Sequence, residues 1–269
     1  MNIIYLNPDQ MRADFLGCYG NSFIRTPNID RLAAEGVRFE QCHVQHTVCT
    51  PSRCSFMTGW YPHVRGHRTL WYPLQSDEPN TLKYLKQHGY EVHWIGKNDL
   101  LAQDAFADSV TALQLPEHGA QGNRNIFAKD EPEYWSFLYG PLSDHNQDWH
   151  RISRAVDFLR SRGSGDPPFM LYLPISYPHC PFTCPQPWYD MYNPDDVPSM
   201  RVSELEAKPV FYDLIRQYRG LDKLDDAVLR KIRAVYMGMI SYVDNLLGRL
   251  LATLNETGLS DNTAIFFFS

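Results

Sequence analysis

Thr263-Ala264-Ile265-Phe266-Phe267-Phe268 is six residues of unbroken apolar, β-branched and aromatic character with no charge. A run so short and so uniformly apolar reads as a strand buried on both faces, the pattern of a parallel sheet covered by helices. It follows a long amphipathic stretch from about Asp225 to Leu254, with Ile232, Val235, Ile240, Val243, Leu247 and Leu250 along one face, and Gly258 leads out of that helix. Working back, Phe169-Met170-Leu171-Tyr172-Leu173 is a second strand, set off by Pro167-Pro168. Tyr90–Ile95 is a third, and Ile3-Ile4-Tyr5-Leu6 a fourth.

Helical patterns separate these runs. Thr26-Pro27-Asn28 opens a helix that Gly36 should end as its C′ residue, and Val37 to Val44 reads as extended. Asn80 can cap a helix over Thr81–His88, which Gly89 terminates. Trp149–Arg162 places Ile152, Val156 and Leu159 on one side. Residues 177–200 carry Pro178, Pro181, Pro185, Pro187, Pro194 and Pro198, so they form a rigid irregular loop. The alternation predicts an α/β fold with a mixed, mostly parallel sheet sandwiched between helices. With no internal repeat or linker composition, residues 1–269 read as one domain without an internal boundary.

At 43% hydrophobic and 21% charged residues, 269 residues can bury one sizeable core and are not a disordered chain. A net charge of −6 gives no basic face for nucleic acid, although a local cluster of Arg and Lys can still bind a small anion. Cys18, Cys42, Cys49, Cys54, Cys180 and Cys184 are too scattered for a disulfide scaffold and lack the CxxC pairs of structural zinc. The opening MNIIYLNPDQ lacks the basic segment and cleavage site of a signal peptide, and no apolar run approaches the roughly 20 residues of a membrane span. The expectation is a cytoplasmic protein without membrane contact, periplasmic or secreted only if a leader has been removed.

Functional residues of open α/β sheets gather beyond the carboxyl ends of the strands. Cys49-Thr50-Pro51-Ser52-Arg53 sets a cysteine at a helix start, where the helix terminus and Arg53 would both favour a nucleophilic thiolate; the alternative is a buried cysteine at a turn. Asp9-Gln10 follows the first strand and offers a carboxylate and an amide carbonyl, both hard donors for a divalent cation, unless Asp9 merely caps a loop. Lys97 closes the Tyr90–Ile95 strand. His179 follows the Phe169–Leu173 strand and brings an imidazole that can exchange a proton near neutrality. His67 and Arg68 either face the substrate or lie at the surface.

Cys-x-Pro-Ser-Arg followed by Thr58-Gly59 resembles the signature of the formylglycine-dependent sulfatases, with Met57 where that family usually has Leu. Asp9-Gln10, Gly17-Cys18-Tyr19-Gly20-Asn21, Gly96-Lys97, Pro178-His179-Cys180-Pro181 and Tyr242-Val243-Asp244-Asn245 resemble further family segments in the same order. The resemblance implies an alkaline-phosphatase-like fold and hydrolysis of a sulfate ester on a small sugar, aryl or similar alcohol. It implies a formylglycine nucleophile made from Cys49 by a maturation enzyme. It implies a divalent metal, Ca²⁺ first and Mg²⁺ or Mn²⁺ as alternatives, held by Asp9, Gln10 and the residue at 49. Arg53 would join the catalytic group, Lys97 would bind a sulfate oxygen, and His179 would contact sulfate and the leaving oxygen, with His67 and Arg68 as further substrate contacts. Two departures stand out. Gln10 occupies a position that is often a second aspartate, which is similar to phosphonate monoester and phosphodiester hydrolases on the same scaffold and keeps that activity as the alternative. Asp99 stands where the family usually has His. The resemblance also places two more metal ligands, the last strands and a smaller carboxyl-terminal domain beyond Ser269, so residues 1–269 are expected to be a truncated catalytic domain, catalytically deficient and weak in metal binding, with an inactive domain as a further alternative.

Overall fold

A computed structural model describes residues 1–114, 138–198, 208–218 and 220–269. In chain order the elements are β1 (Asn2–Asn7), α1 (Pro27–Glu35), α2 (Cys49–Thr58), α3 (Thr81–Gln87), β2 (Glu91–Ile95), α4 (Phe106–Ser109), β3 (Ala112–Gln114), α5 (Gln147–Arg160), β4 (Phe169–Pro174), α6 (Val210–Tyr218), α7 (Asp226–Glu256) and β5 (Thr263–Phe267). The strands form one sheet in the order β3-β2-β4-β1-β5, and every pairing among the described residues is parallel. The central register sets Ile3 against Met170 and Leu6 against Leu173. Parallel pairing needs a crossover between strands, and the intervening helices supply it.

Alternation along the strands divides the core into two layers. Ile4, Leu6, Phe169, Leu171 and Leu173 face α5 and α7 through Ile152, Val156, Leu159, Val235, Ile240, Val243 and Leu247. Val92, Trp94, Met170 and Tyr172 face the other way, onto Cys54 and Met57 of α2 and Leu82 of α3. A central strand buried on both sides must be apolar at every position, and all six residues of β4 are buried.

Several local signals act as expected. The Asn80 side chain accepts from the Lys83 backbone N–H at the start of α3, and Asp225 does the same for Val228 at the start of α7. Gly238 lets α7 pass against Trp188, whose carbonyl a Cβ there would overlap.

Three expectations are corrected. Thr263–Phe267 is not buried on both faces: it is the edge strand β5, and Phe266 is 48% exposed. Ile265 and Phe267 pack against the α5 and α7 layer, while on the other face Phe266 and Phe268 meet Tyr5 and Phe266 stays half-exposed. Val37–Val44 forms no ladder and is exposed, because no neighbouring strand offers its backbone a partner. Gly36 is the C-cap of α1 with φ −124°, not a left-handed C′ residue. The proline-rich stretch is irregular through Pro198, apart from short 3₁₀ turns, and residues 199–200 lie outside the described residues.

Candidate active site

Because the strands are parallel, β1, β2 and β4 end on the same side of the sheet. Asp9 lies two residues past β1, Lys97 two past β2 and His179 five past β4. The start of α2 meets them. Cys49 is its first residue and Pro51 sits in its first turn, where a missing N–H leaves no intrahelical bond unmade. At the other end Gly59 takes the left-handed conformation (φ 75°) and its N–H closes the helix on the Ser55 carbonyl. Cys49 and Arg53 are four residues apart and therefore share one helix face.

These residues converge. Cys49 Sγ lies 3.6 Å from both carboxylate oxygens of Asp9. Lys97 Nζ is ion-paired with Asp9 and stands 2.6 Å from Asp99 Oδ2. Arg53 reaches Asp9 and Asp99, each at 3.9 Å, and its Nη1 donates to the Tyr172 hydroxyl at 3.1 Å. Ligand atoms of Asp9, Cys49 and His179 fall within 4.8 Å of one another, the one such His/Cys/Asp/Glu cluster among the described residues. Gln10 is exposed, with its backbone at φ 65°, a left-handed conformation uncommon outside glycine. The anchor of Gln10 is its carbonyl, which accepts from the Tyr236 hydroxyl at 2.8 Å.

The electrostatics follow from this crowding. Burial would raise the Asp9 pKa, but the charges of Lys97 and Arg53 outweigh it and hold the carboxyl below its ordinary value. Lys97 is held above its ordinary value because Asp9 and Asp99 outweigh burial. Cys49 goes the opposite way from the sequence expectation: burial, then the charge of Asp9, push its thiol up. The charges of Lys97 and Arg53 do not overcome them, so the surroundings of unmodified Cys49 favour the thiol over the thiolate. His179 Nδ1 lies 2.5 Å from the Cys180 carbonyl, which leaves Nε2 for the site. Hydrogen bonding to the Cys180 side chain, helped by the same residue's backbone and by Asp9, pushes the imidazole up to about 9 against burial.

His67 is placed differently from a substrate contact. It is buried, with Nδ1 2.8 Å from the Tyr72 carbonyl and Nε2 2.9 Å from Glu78 Oε1. Both ring nitrogens are thereby engaged inside the protein. Arg68 is exposed.

Two positioning residues escape a motif reading. Asp148, fully buried in α5, accepts from the backbone N–H groups of Ser176 (2.9 and 3.0 Å) and Tyr177 (2.8 Å) and from Arg151 (2.5 Å). It fixes the segment that carries His179, and the Tyr177 carbonyl in turn accepts from the Asp9 N–H at 3.2 Å. Tyr236, in α7, holds the Asp9–Gln10 turn by donating to the Gln10 carbonyl and accepting from the Arg12 N–H. In the sequence Asp148 looks like an ordinary acidic first-turn residue and Tyr236 like one more aromatic on an apolar helix face.

The chain resembles known proteins along its whole length. The chain is 27% identical to human iduronate 2-sulfatase across its whole length, covering 54% of that protein. It is 30% identical to the uncharacterized sulfatase YidJ of Escherichia coli K12, again across its whole length, covering 56% of it. In structure it resembles the phosphonate monoester hydrolase of Agrobacterium radiobacter, with a TM-score of 0.79 over 99% of this chain and 61% of that one at 23% identity, a likeness of fold. The chain thus spans little more than half the length of these curated relatives. The Sulfatase family profile matches residues 1–269 from end to end, and the chain belongs to that family.

Proposed function

We propose that these residues are the amino-terminal catalytic portion of a sulfuric-ester hydrolase that uses a formylglycine made from Cys49 and a divalent cation. The observation that carries this reading is the convergence of Asp9, Cys49, Arg53, Lys97 and His179 past three parallel strand ends. A buried carboxylate, two fixed cations and an imidazole gathered around one cysteine are the groups that hydrolysis of an anionic ester calls on.

The donors present fit a hard divalent cation in part. Asp9 supplies a carboxylate oxygen, and a hydroxyl at position 49 would supply a second beside it, while the Asp9 charge is already balanced by the Lys97 ammonium. Ca²⁺, with six to eight oxygen ligands, would draw the remainder from water, substrate, the Gln10 amide or residues beyond this set. Bound there, the cation would polarise a sulfate oxygen and hold the nucleophile ionised. Converted to the formylglycine hydrate, position 49 would offer one hydroxyl to attack sulfur and a second whose collapse releases sulfate without an attacking water.

The protein's own groups do the rest. Arg53, clamped by Tyr172, and Lys97 bind ester oxygens and oppose the charge that builds on them in the transition state. His179, oriented by Nδ1 on the Cys180 carbonyl and protonated at neutral pH, gives its Nε2 proton to the leaving alkoxide. The alcohol is a small sugar, aryl or similar group. A second reading, phosphonate monoester or phosphodiester hydrolysis, rests on Gln10 next to Asp9.

One comparison tests both. The full-length protein, co-expressed with a formylglycine-generating enzyme, is expected to show the cysteine-to-aldehyde mass change at Cys49 and to release sulfate from an aryl sulfate faster than it cleaves the matching aryl phosphonate. The reverse order of rates establishes the second reading, and full activity with unmodified Cys49 sinks the formylglycine mechanism.

A further inference from the structure

The charged groups of the site form a closed ring of alternating sign. Lys97 bridges Asp9 and Asp99, and Arg53 stands 3.9 Å from each of the same two carboxylates. The carboxylates are not equivalent. Asp9 has Cys49 and His179 beside it and is the metal donor of the proposed function. The ion pairs of Asp99 among the described residues are with the two cations alone, the same two that face the ester. Asp99 is also the more open of the pair, its side chain 26% exposed against 9% for Asp9. An anion that binds Lys97 and Arg53 must therefore come within about one side chain of a second carboxylate that lies apart from the Asp9, Cys49 and His179 cluster.

We propose that Asp99 sets the charge of the ester the site accepts, admitting monoanions (sulfate monoesters, phosphonate monoesters, phosphodiesters) and rejecting dianionic phosphate monoesters. The inference rests on the proposed function only in taking Arg53 and Lys97 as the anion's partners. Coulomb repulsion from Asp99 grows in proportion to the charge on the anion. Across roughly 6 Å at an effective dielectric near 20, one additional charge is disfavoured by on the order of 100-fold. Partial exposure of Asp99 screens some of this, so discrimination of about tenfold or more is expected to survive. A neutral side chain at position 99 would leave both cations in place and remove the bias. Size and shape do not substitute for it, because sulfate and phosphate esters have the same tetrahedral outline.

The test holds the leaving group and pH fixed. At pH 8 an aryl phosphate, with a second pKa of about 6, is a dianion, while the matching aryl sulfate and aryl phosphonate are monoanions. kcat/KM is measured on all three with the mature enzyme, Asp99→Asn and Asp99→Glu. Asp99→Asn is expected to narrow the monoanion-to-dianion ratio about tenfold or more, whatever happens to the absolute rates, and Asp99→Glu to keep the ratio within about threefold of the starting enzyme. Equal changes on all esters in Asp99→Asn would show that Asp99 only positions Lys97, and would overturn the proposal. If phosphonate is turned over and sulfate is not, the sulfatase reading fails while the charge inference is still read from the phosphonate-to-phosphate ratio. If Asp99→Asn is inactive, calorimetric affinities for methyl sulfate and methyl phosphate at pH 8 give the same ratio, and an unchanged ratio there overturns the proposal as well.

Discussion

Asp244 of α7 accepts hydrogen bonds from the backbone N–H groups of Asn28 at 2.9 Å and Ile29 at 2.8 Å, and so caps α1 from across the fold. The N-cap residue of α1, Thr26, makes no side-chain cap of its own. Its hydroxyl instead accepts from the Gly17 N–H and bonds to Asp30. The free N–H groups that every helix start presents are thus met by a residue of another helix. Asp244 also takes a bond from the Asn28 amide at 2.8 Å, which ties α1 to the helix that carries Tyr236.

Replacing that carboxylate is expected to be costly. Asp244→Ala leaves two backbone donors without partners in a place water barely reaches and leaves the Asn28 amide only its 3.2 Å bond to the carbonyl of residue 244, for a loss of about 2–4 kcal/mol. Asp244→Asn keeps one acceptor oxygen and is expected to lose roughly half as much. Urea midpoints compared at constant m-value check both, and an Asp244→Ala protein as stable as the starting one would show that water replaces the cap.

Asp148 acts on the site through the loop it holds. Asp148→Ala removes the acceptor for Ser176, Tyr177 and Arg151 at once and leaves Arg151 charged and largely buried. Removing one partner of a buried pair is expected to destabilise by about 3–5 kcal/mol. At a temperature where the variant is still folded, kcat on an aryl sulfate is expected to fall further than folding alone explains, since His179 loses its register. A variant with unchanged kcat per folded molecule would separate the loop from the chemistry.

How much of this was legible from the sequence depends on how local each signal is. The strands β1, β2 and β4 announce themselves because a doubly covered strand must be apolar throughout, and Asn80 because a cap acts within three residues. β5 has the same composition as a central strand, and composition does not say whether a neighbour lies on its far side; its edge position is a fact of topology. Cys49, Asp9, Arg53, Lys97 and His179 were legible as motifs beside strand ends, and the fold brings them together. The direction of the Cys49 pKa was not, because the helix start and Arg53 are local while the opposing Asp9 is forty residues away. His67 read as a substrate contact for the same reason: Glu78 and Tyr72, which occupy its ring nitrogens, lie on a later turn of the chain. Asp148, Tyr236 and Asp244 make long-range contacts to backbone, which leave no pattern in the sequence.

The raised thiol of Cys49 has a direct consequence for reactivity. In protein produced without a maturation enzyme, Cys49 is expected to react with iodoacetamide at pH 7 more slowly than the exposed Cys42, and to accelerate as the pH is carried past the ordinary thiol range. Asp9→Asn removes the negative charge beside the sulfur and is expected to speed it. Peptide mapping after timed alkylation gives both rates. Labelling of Cys49 ahead of Cys42 at pH 7 would mean a stabilised thiolate and would revive a direct cysteine nucleophile.

The last prediction concerns the proton on His179. Its pKa is raised from the usual 6.5 to about 9, first by the hydrogen bond with the Cys180 side chain, then by the Cys180 backbone and the charges of Cys180 and Asp9, with burial opposing. A base whose folded pKa lies above its unfolded value favours the folded state most fully below the unfolded pKa, and that contribution is lost as the pH rises through the folded one. For His179 the window runs from about 6.5 up to about 9. The imidazole is therefore expected to be charged at pH 7 and to titrate on the alkaline side, which can be followed by NMR of the ring protons in metal-free protein. Cys180→Ala removes the largest cause and is expected to bring the midpoint back toward 6.5, whereas Asp9→Asn shifts it less. A mature enzyme that donates this proton to the leaving group should also lose kcat as the pH rises, with the limb moving to lower pH in Cys180→Ala. A ring that titrates near 6.5 in the unaltered protein, or a limb that Cys180→Ala leaves in place, would remove His179 as the proton donor and return that role to water or to a residue outside this cluster.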